Sequence, residues 1–199
     1  MVNRKLIACL VVIGLAVLAA LWLMPGHSRL GPSAAATGGN PGPPPLAGSV
    51  QNFTPFDSPR PAPEIAMTDG TGAPVKLAAL AGKPVILNLW ATWCAPCVRE
   101  MASLDRLQAV LGAKAQVIAL SQDKEGKSVV APFFQSKGIS HLATYLDPPG
   151  AAARALNIDG LPTTFILDAQ GRIVGEMVGP AEWDSPEALA LVRHYLPPG

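Results

Sequence analysis

The chain has 199 residues, 49% of them apolar, a formal net charge of +1 and three cysteines. That charge balance gives no electrostatic case for nucleic acid as a partner. Three cysteines are too few for a secreted disulfide framework, and two of them are spaced as a redox or metal pair.

Arg4 and Lys5 precede Leu6 to Met24, a run without a charge. At helical rise it spans about 28 Å, one hydrocarbon core. Residues 1–25 therefore read as a signal-anchor or transmembrane helix with its basic end in the cytoplasm and the bulk of the chain outside. Trp22 falls near the outer end. A cleaved signal peptide is the alternative, but the run is long for one and no small-x-small site lies directly behind it. Cys9 reads as a small apolar residue of the span, because the apolar run follows it rather than precedes it. Residues 26–60 are rich in Gly, Pro, Ser and Ala, with Pro43-Pro44-Pro45 at the centre. Such a stretch cannot bury enough apolar area to offset its ordering entropy, so it reads as a disordered, semi-extended linker. Residues 61–199 remain for a domain of about 135 residues, enough for a core without disulfide staples.

Glu64 to Thr68 and Pro74 to Leu77 read as short strands around the turn Asp69-Gly70-Thr71-Gly72, a hairpin ahead of the main core. Val85 to Trp90 is a continuous apolar run with one polar member, as in a strand buried on both faces. Cys97, Met101, Leu104, Leu107, Gln108 and Leu111 then recur at helical spacing, and Gly112 closes that helix. Gln116 to Leu120 is the next buried strand, which makes a right-handed parallel crossover. Ser128 to Lys137 reads as a helix closed by Gly138, Ala143 to Leu146 as a strand, and Ala151 to Asn157 as a helix. Thr163 to Leu167 and Arg172 to Val178 are strands joined by Asp168-Ala169-Gln170-Gly171. Ser185-Pro186-Glu187 opens a last helix with a cap, a proline and an acid in its first turn. Leu189, Val192, Tyr195 and Leu196 give that helix one apolar face.

Trp93-Cys94-Ala95-Pro96-Cys97 sits where the first buried strand hands over to the helix. Residues i and i+3 share a helix face, so the two sulfurs can reach disulfide distance. The helix N-terminus favours thiolate over thiol, and Pro96 removes an N–H that had no partner. Cys94 would attack a client disulfide and Cys97 would resolve the mixed disulfide. Half of a zinc site is one alternative. It needs two more ligands, and only His27, His141 and His194 remain, without motif spacing. A purely structural disulfide is the other.

Leu89-Trp90-Ala91-Thr92-Trp93-Cys94-Ala95-Pro96-Cys97 resembles the active site of the thioredoxin superfamily. Gly160-Leu161-Pro162-Thr163-Thr164-Phe165 resembles its cis-proline loop, about 65 residues downstream. The anchor, the leading hairpin and the excursion between strands are similar to the membrane-anchored TlpA/ResA group, and Gly179-Pro180-Ala181-Glu182-Trp183 is most similar to its TlpA branch. The resemblance covers roughly residues 60–197. It implies a thioredoxin-like α/β fold, a central mixed sheet flanked by helices, with an N-terminal hairpin and an insertion, preceded by one transmembrane helix. It implies a Cys94–Cys97 redox disulfide and a cis Leu161–Pro162 bond facing it. Trp93, Ala95, Pro96, Leu161 and Pro162 would contact the client. It also implies that Glu100, one turn beyond Cys97, shuttles the proton of the resolving thiol; a solvated Glu100 paired with Arg99 or Arg106 is the alternative. Two positions depart from thioredoxin proper. Its buried Asp is Asn88 here, which cannot take a proton, and its helix-kinking Pro is Ala102.

The resulting expectation is a thiol:disulfide oxidoreductase on the bacterial inner membrane, single-pass, with its C-terminal domain in the periplasm. The resemblance implies a reductant of disulfide-bearing clients, among them apocytochrome c and copper-site assembly proteins, supplied with electrons by a transmembrane reductase of the DsbD/CcdA type. No cofactor beyond the cysteine pair and no resident metal are expected. A copper chaperone on the same fold is the alternative, since thiolates suit Cu(I). It would want a wider cysteine spacing and a distal His. A peroxidase would want a lone peroxidatic cysteine.

Overall fold

The computed structural model describes residues 44–197. Its frame is one eight-stranded sheet built from β1 (Thr54–Pro61), β2 (Ala66–Asp69), β3 (Pro74–Lys76), β4 (Val85–Trp90), β5 (Gln116–Ser121), β6 (Tyr145–Leu146), β7 (Thr163–Leu167) and β8 (Arg172–Val178). The strand order is β1-β8-β7-β4-β5-β6-β2-β3. The β4–β5 and β5–β6 pairs are parallel and the rest antiparallel, so the sheet is mixed. Among the described residues four α-helices complete the fold: α1 (Ala95–Leu111), α2 (Lys127–Lys137), α3 (Ala151–Ala155) and α4 (Pro186–His194).

β4 is central, and all six of its residues are buried. Successive side chains alternate across the sheet. Val85, Leu87 and Leu89 enter one core with Ile118, Leu120 and Phe165, beside the β2–β3 hairpin and Ala152 of α3. Ile86 and Trp90 enter the other, with Met101, Leu104 and Leu107 of α1, and with Trp183, Leu191 and Val192 near and in α4. Asn88 follows the same alternation as Ile86 and Trp90, which turns it toward α1.

The strands expected at 85–90, 163–167 and 172–178 form over those residues, and the helix after Cys94 runs unbroken to Leu111. Several expected elements shift or shorten, the second hairpin strand among them, which stops at Lys76. The first hairpin strand begins at Ala66, the strand near 145 is only Tyr145–Leu146, and α3 stops at Ala155. In the last helix the deepest residues are Ala188, Leu191 and Val192, while Leu189, Tyr195 and Leu196 pack at the margin of the core.

One boundary is corrected. The linker expected over 26–60 does not reach residue 60. Val50 and Phe53 are buried, and Thr54–Pro61 pairs antiparallel with β8. Strand formation by Thr54-Pro55-Phe56-Asp57-Ser58-Pro59-Arg60-Pro61 is possible because it lies at the sheet edge, where proline forfeits no ladder bond on the open side. Phe53 reaches the sheet because residue 175 is glycine: a Cβ there would lie 2.4 Å from the Phe53 ring. Among the described residues no helix is long and apolar enough to cross a membrane. The expected anchor over 1–25 and the linker up to residue 43 lie outside the described residues.

Candidate active site

Cys94 is the N-cap of α1, with extended backbone, and its sulfur accepts the Cys97 N–H at 3.3 Å. Pro96 stands in the first turn, where it costs no helical bond. Cys94 and Cys97 are joined as a disulfide with their Cα atoms 5.3 Å apart. Cys94 is 6% exposed and Cys97 is fully buried, so Cys94 is the more accessible of the pair. Trp93 beside it is 69% exposed, Ala95 is exposed and Pro96 half-buried.

The Leu161–Pro162 bond is cis. Thr163, the next residue, pairs with Leu89 near the C-terminal end of β4, so Pro162 lies at the end of the sheet that delivers Cys94. Leu161 is half-buried against the core that holds both cysteines. The expected site residues therefore gather at one end of the sheet.

Glu100 is 1% exposed, and neither Arg99 nor Arg106 pairs with it. Its Oε1 accepts the Asn88 Nδ2–H at 2.8 Å. Its Oε2 accepts the Ala181 N–H and the Trp183 indole N–H, both at 3.0 Å. Burial pushes its pKa up to about 7; those three donors oppose the rise, and the charge of Glu182 adds to it. Asn88 also donates to Thr164 Oγ1 at 2.9 Å, and among the described residues its own Oδ1 has no partner. The carboxyl with the raised pKa is thus one helical turn beyond Cys97, and Asn88 is one of its hydrogen-bond partners.

Sequence reasoning missed a second carboxylate here. Asp123, buried just after β5, accepts the Thr92 N–H at 3.0 Å and the Thr92 hydroxyl at 2.6 Å, and Ser121 Oγ donates to it at 2.8 Å. It clamps the loop one residue before Trp93. Its only sequence signal is the Ser121-Gln122-Asp123 step at a strand end, which common turns share. Among the described residues no group of three or more His, Cys, Asp and Glu comes together as a metal site.

A disulfide that closes a helix N-cap beside an exposed tryptophan and a cis-proline is built to exchange with other disulfides, and the class is a thioredoxin-like thiol:disulfide oxidoreductase. Comparison with known proteins agrees. The thiol-disulfide oxidoreductase ResA of Bacillus anthracis is 33% identical over 119 residues, 59% of this chain and 68% of that protein. The thioredoxin-like protein YneN of Bacillus subtilis is 36% identical over 121 residues, 59% of this chain and 69% of its own length. Among solved structures, a thioredoxin-family thiol:disulfide interchange protein from Chlorobium tepidum matches with TM-score 0.56 at 28% identity, covering 70% of this chain and 98% of that one. A DsbF homologue from Corynebacterium diphtheriae gives TM-score 0.57 at 28% identity, over 67% and 88%. The Redoxin family model matches residues 57–192, and the chain belongs to that family, as a ResA/TlpA-like member of the thioredoxin superfamily.

Proposed function

We propose that this oxidoreductase acts as a reductant, tethered to the bacterial inner membrane by residues 1–25 with its domain in the periplasm. Its clients are disulfides of apocytochrome c or copper-site assembly proteins, and a DsbD/CcdA-type reductase restores its dithiol. Kinship with ResA-named proteins and the apolar run Leu6–Met24 support this reading.

In the reduced protein the Cys94 thiolate attacks a client sulfur. A Cys94–client disulfide forms and the first client thiolate leaves. Cys97 then loses its proton to Glu100 and attacks Cys94 Sγ, which closes the Cys94–Cys97 disulfide and expels the second client thiolate. Two electrons pass to the client, whose thiolates take up protons. Trp93, Ala95 and Pro96 contact the client around the sulfur, and the Leu161–Pro162 loop pairs with its backbone. The observation that carries the proton step is the buried Glu100 carboxyl, whose pKa of about 7 lets it accept and return a proton near neutral pH.

Cys94→Ser abolishes insulin and client reduction on this reading, whereas Cys97→Ser accumulates mixed disulfides that identify the client. Retained reduction by the Cys94 variant, or no trapped species with the Cys97 variant in cells, overturns the assignment of roles.

A further inference from the structure

The chain that follows β8 is bound along one stripe of α1. Gly179 N–H donates to the Pro162 carbonyl at 2.9 Å. Ala181 N–H and the Trp183 indole N–H converge on Glu100 Oε2, and the Trp183 backbone N–H donates to Ser103 Oγ at 3.0 Å. Arg106 Nε meets Asp184 Oδ2 at 2.6 Å. Glu100, Ser103 and Arg106 are spaced by three, so they share one helix face. Residues 179–184 thus run from the cis-proline loop to the helix that carries both cysteines.

We propose that Trp183 is a positioning residue of the thiol–disulfide exchange: its indole N–H holds the Glu100 carboxylate and sets the pH at which that carboxyl exchanges its proton. The inference rests on the reading of Glu100 as proton partner of Cys97. Trp183 is fully buried, and among the described residues Oε2 is the one partner of its ring N–H. A buried indole without that partner would leave a donor unsatisfied, so ring and carboxylate fix one another. A donor to a carboxylate favours the charged form. The Trp183 N–H therefore works against the desolvation that raises Glu100.

The other groups facing this carboxyl are few. Asn88 from β4 and the Ala181 N–H are fixed donors, and Thr164 of β7 is uncharged. Glu182 adds like charge from the same segment. Cys94 and Cys97 lie a turn or more back on α1, and Arg106 is engaged with Asp184. Trp183 is the one side chain of the 179–184 segment that hydrogen-bonds Glu100.

The test uses the full-length chain. Trp183→Phe keeps an aromatic ring and removes the N–H. In the oxidised protein, the 13C carboxyl resonance of Glu100 should titrate about one pH unit higher in this variant than in wild type. In the reduced protein, the limb of the pH–rate profile that Glu100→Gln removes should move by the same amount. Should the Phe variant fail to fold, wild type carries the test, because the Trp183 indole 1H–15N signal should titrate with the Glu100 midpoint. If Glu100→Gln removes the limb while Trp183→Phe leaves it in place, or the indole signal is flat across that midpoint, the role of Trp183 is overturned and that of Glu100 stands. If Glu100→Gln leaves the limb unchanged, the reading of Glu100 falls and the proposal falls with it.

Discussion

Helix α1 carries two buried carboxylates, Glu100 near its start and Asp105 in its middle, and the protein treats them oppositely. Oδ1 of Asp105 accepts the backbone N–H groups of Ser140, His141 and Leu142 at 3.1, 2.7 and 3.0 Å, and His141 Nδ1 lies 3.0 Å from Oδ2. Burial works to raise its pKa, but the His141 side chain and the three backbone donors outweigh it, and the net shift is downward. Glu100 is more deeply enclosed, 1% exposed against 6%, and has fewer donors; burial wins and its pKa rises to about 7. A hydrogen-bonded carboxylate is therefore not a fixed charge by that fact alone. Asp105 stays ionised and staples the 140–142 loop to the helix. Glu100 is balanced where a proton can come and go.

The sharpest way to break this contrast is to remove the staple. Asp105→Ala leaves three backbone donors without their acceptor and should cost about 4 kcal/mol, read by urea unfolding at pH 7. A loss under about 1 kcal/mol would mean those donors find water and the loop is not held. The next effect is one of slope. A raised folded pKa stabilises fully below the unfolded value near 4.5, and that contribution is lost as pH rises through about 7. Wild type should therefore lose roughly 3 kcal/mol relative to Glu100→Gln across that window, measured on the oxidised protein. The glutamine is accommodated because Asn88 can turn its amide and offer the Oδ1 that has no partner now. A wild-type-minus-variant difference that is flat with pH would put Glu100 in the same class as Asp105. The smallest change is His141→Ala, expected to cost about 1 kcal/mol at neutral pH because the pair is partly exposed. Asp105 has a lowered pKa, so its contribution holds above the unfolded value and fades as pH falls through the folded one. Without His141 that acid loss should begin at higher pH, as circular dichroism would record.

What could be read from residues alone follows from burial. β4, β7 and β8 stand out because strands in the sheet interior are near-continuous apolar runs, and α1 because its apolar face repeats at helical spacing between Pro96 and Gly112. β1 was invisible for the converse reason. Nearly all of it is exposed, it holds three prolines, and only Val50 and Phe53 ahead of it hint at attachment. At the site, Cys94 and Cys97 were legible because their spacing at a strand-to-helix step is a local fact, whereas Pro162 and Glu100 were singled out by the family resemblance. The strand alternation that turns Asn88 toward α1 is also present in the sequence, but its bond to Glu100 joins two separate elements. The contact between Trp183 and Glu100 spans 83 residues, and no local pattern encodes it. The same holds for the clamp of Asp123 on Thr92, made across two neighbouring strands.

The edge strand β1 settles by which door the polypeptide enters. Thr54 at its start lies opposite Glu176, near the end of β8 that leads into Gly179 and the cis-proline carbonyl. Just before it, Ser49 sits against the carbonyl of Glu182 and the hydroxyl of Ser185. Residues 49–54 therefore lie on the dithiol's side of the sheet, beside the segment that grips Glu100. They thus stand at the reactive pole of the domain and not on its far hemisphere.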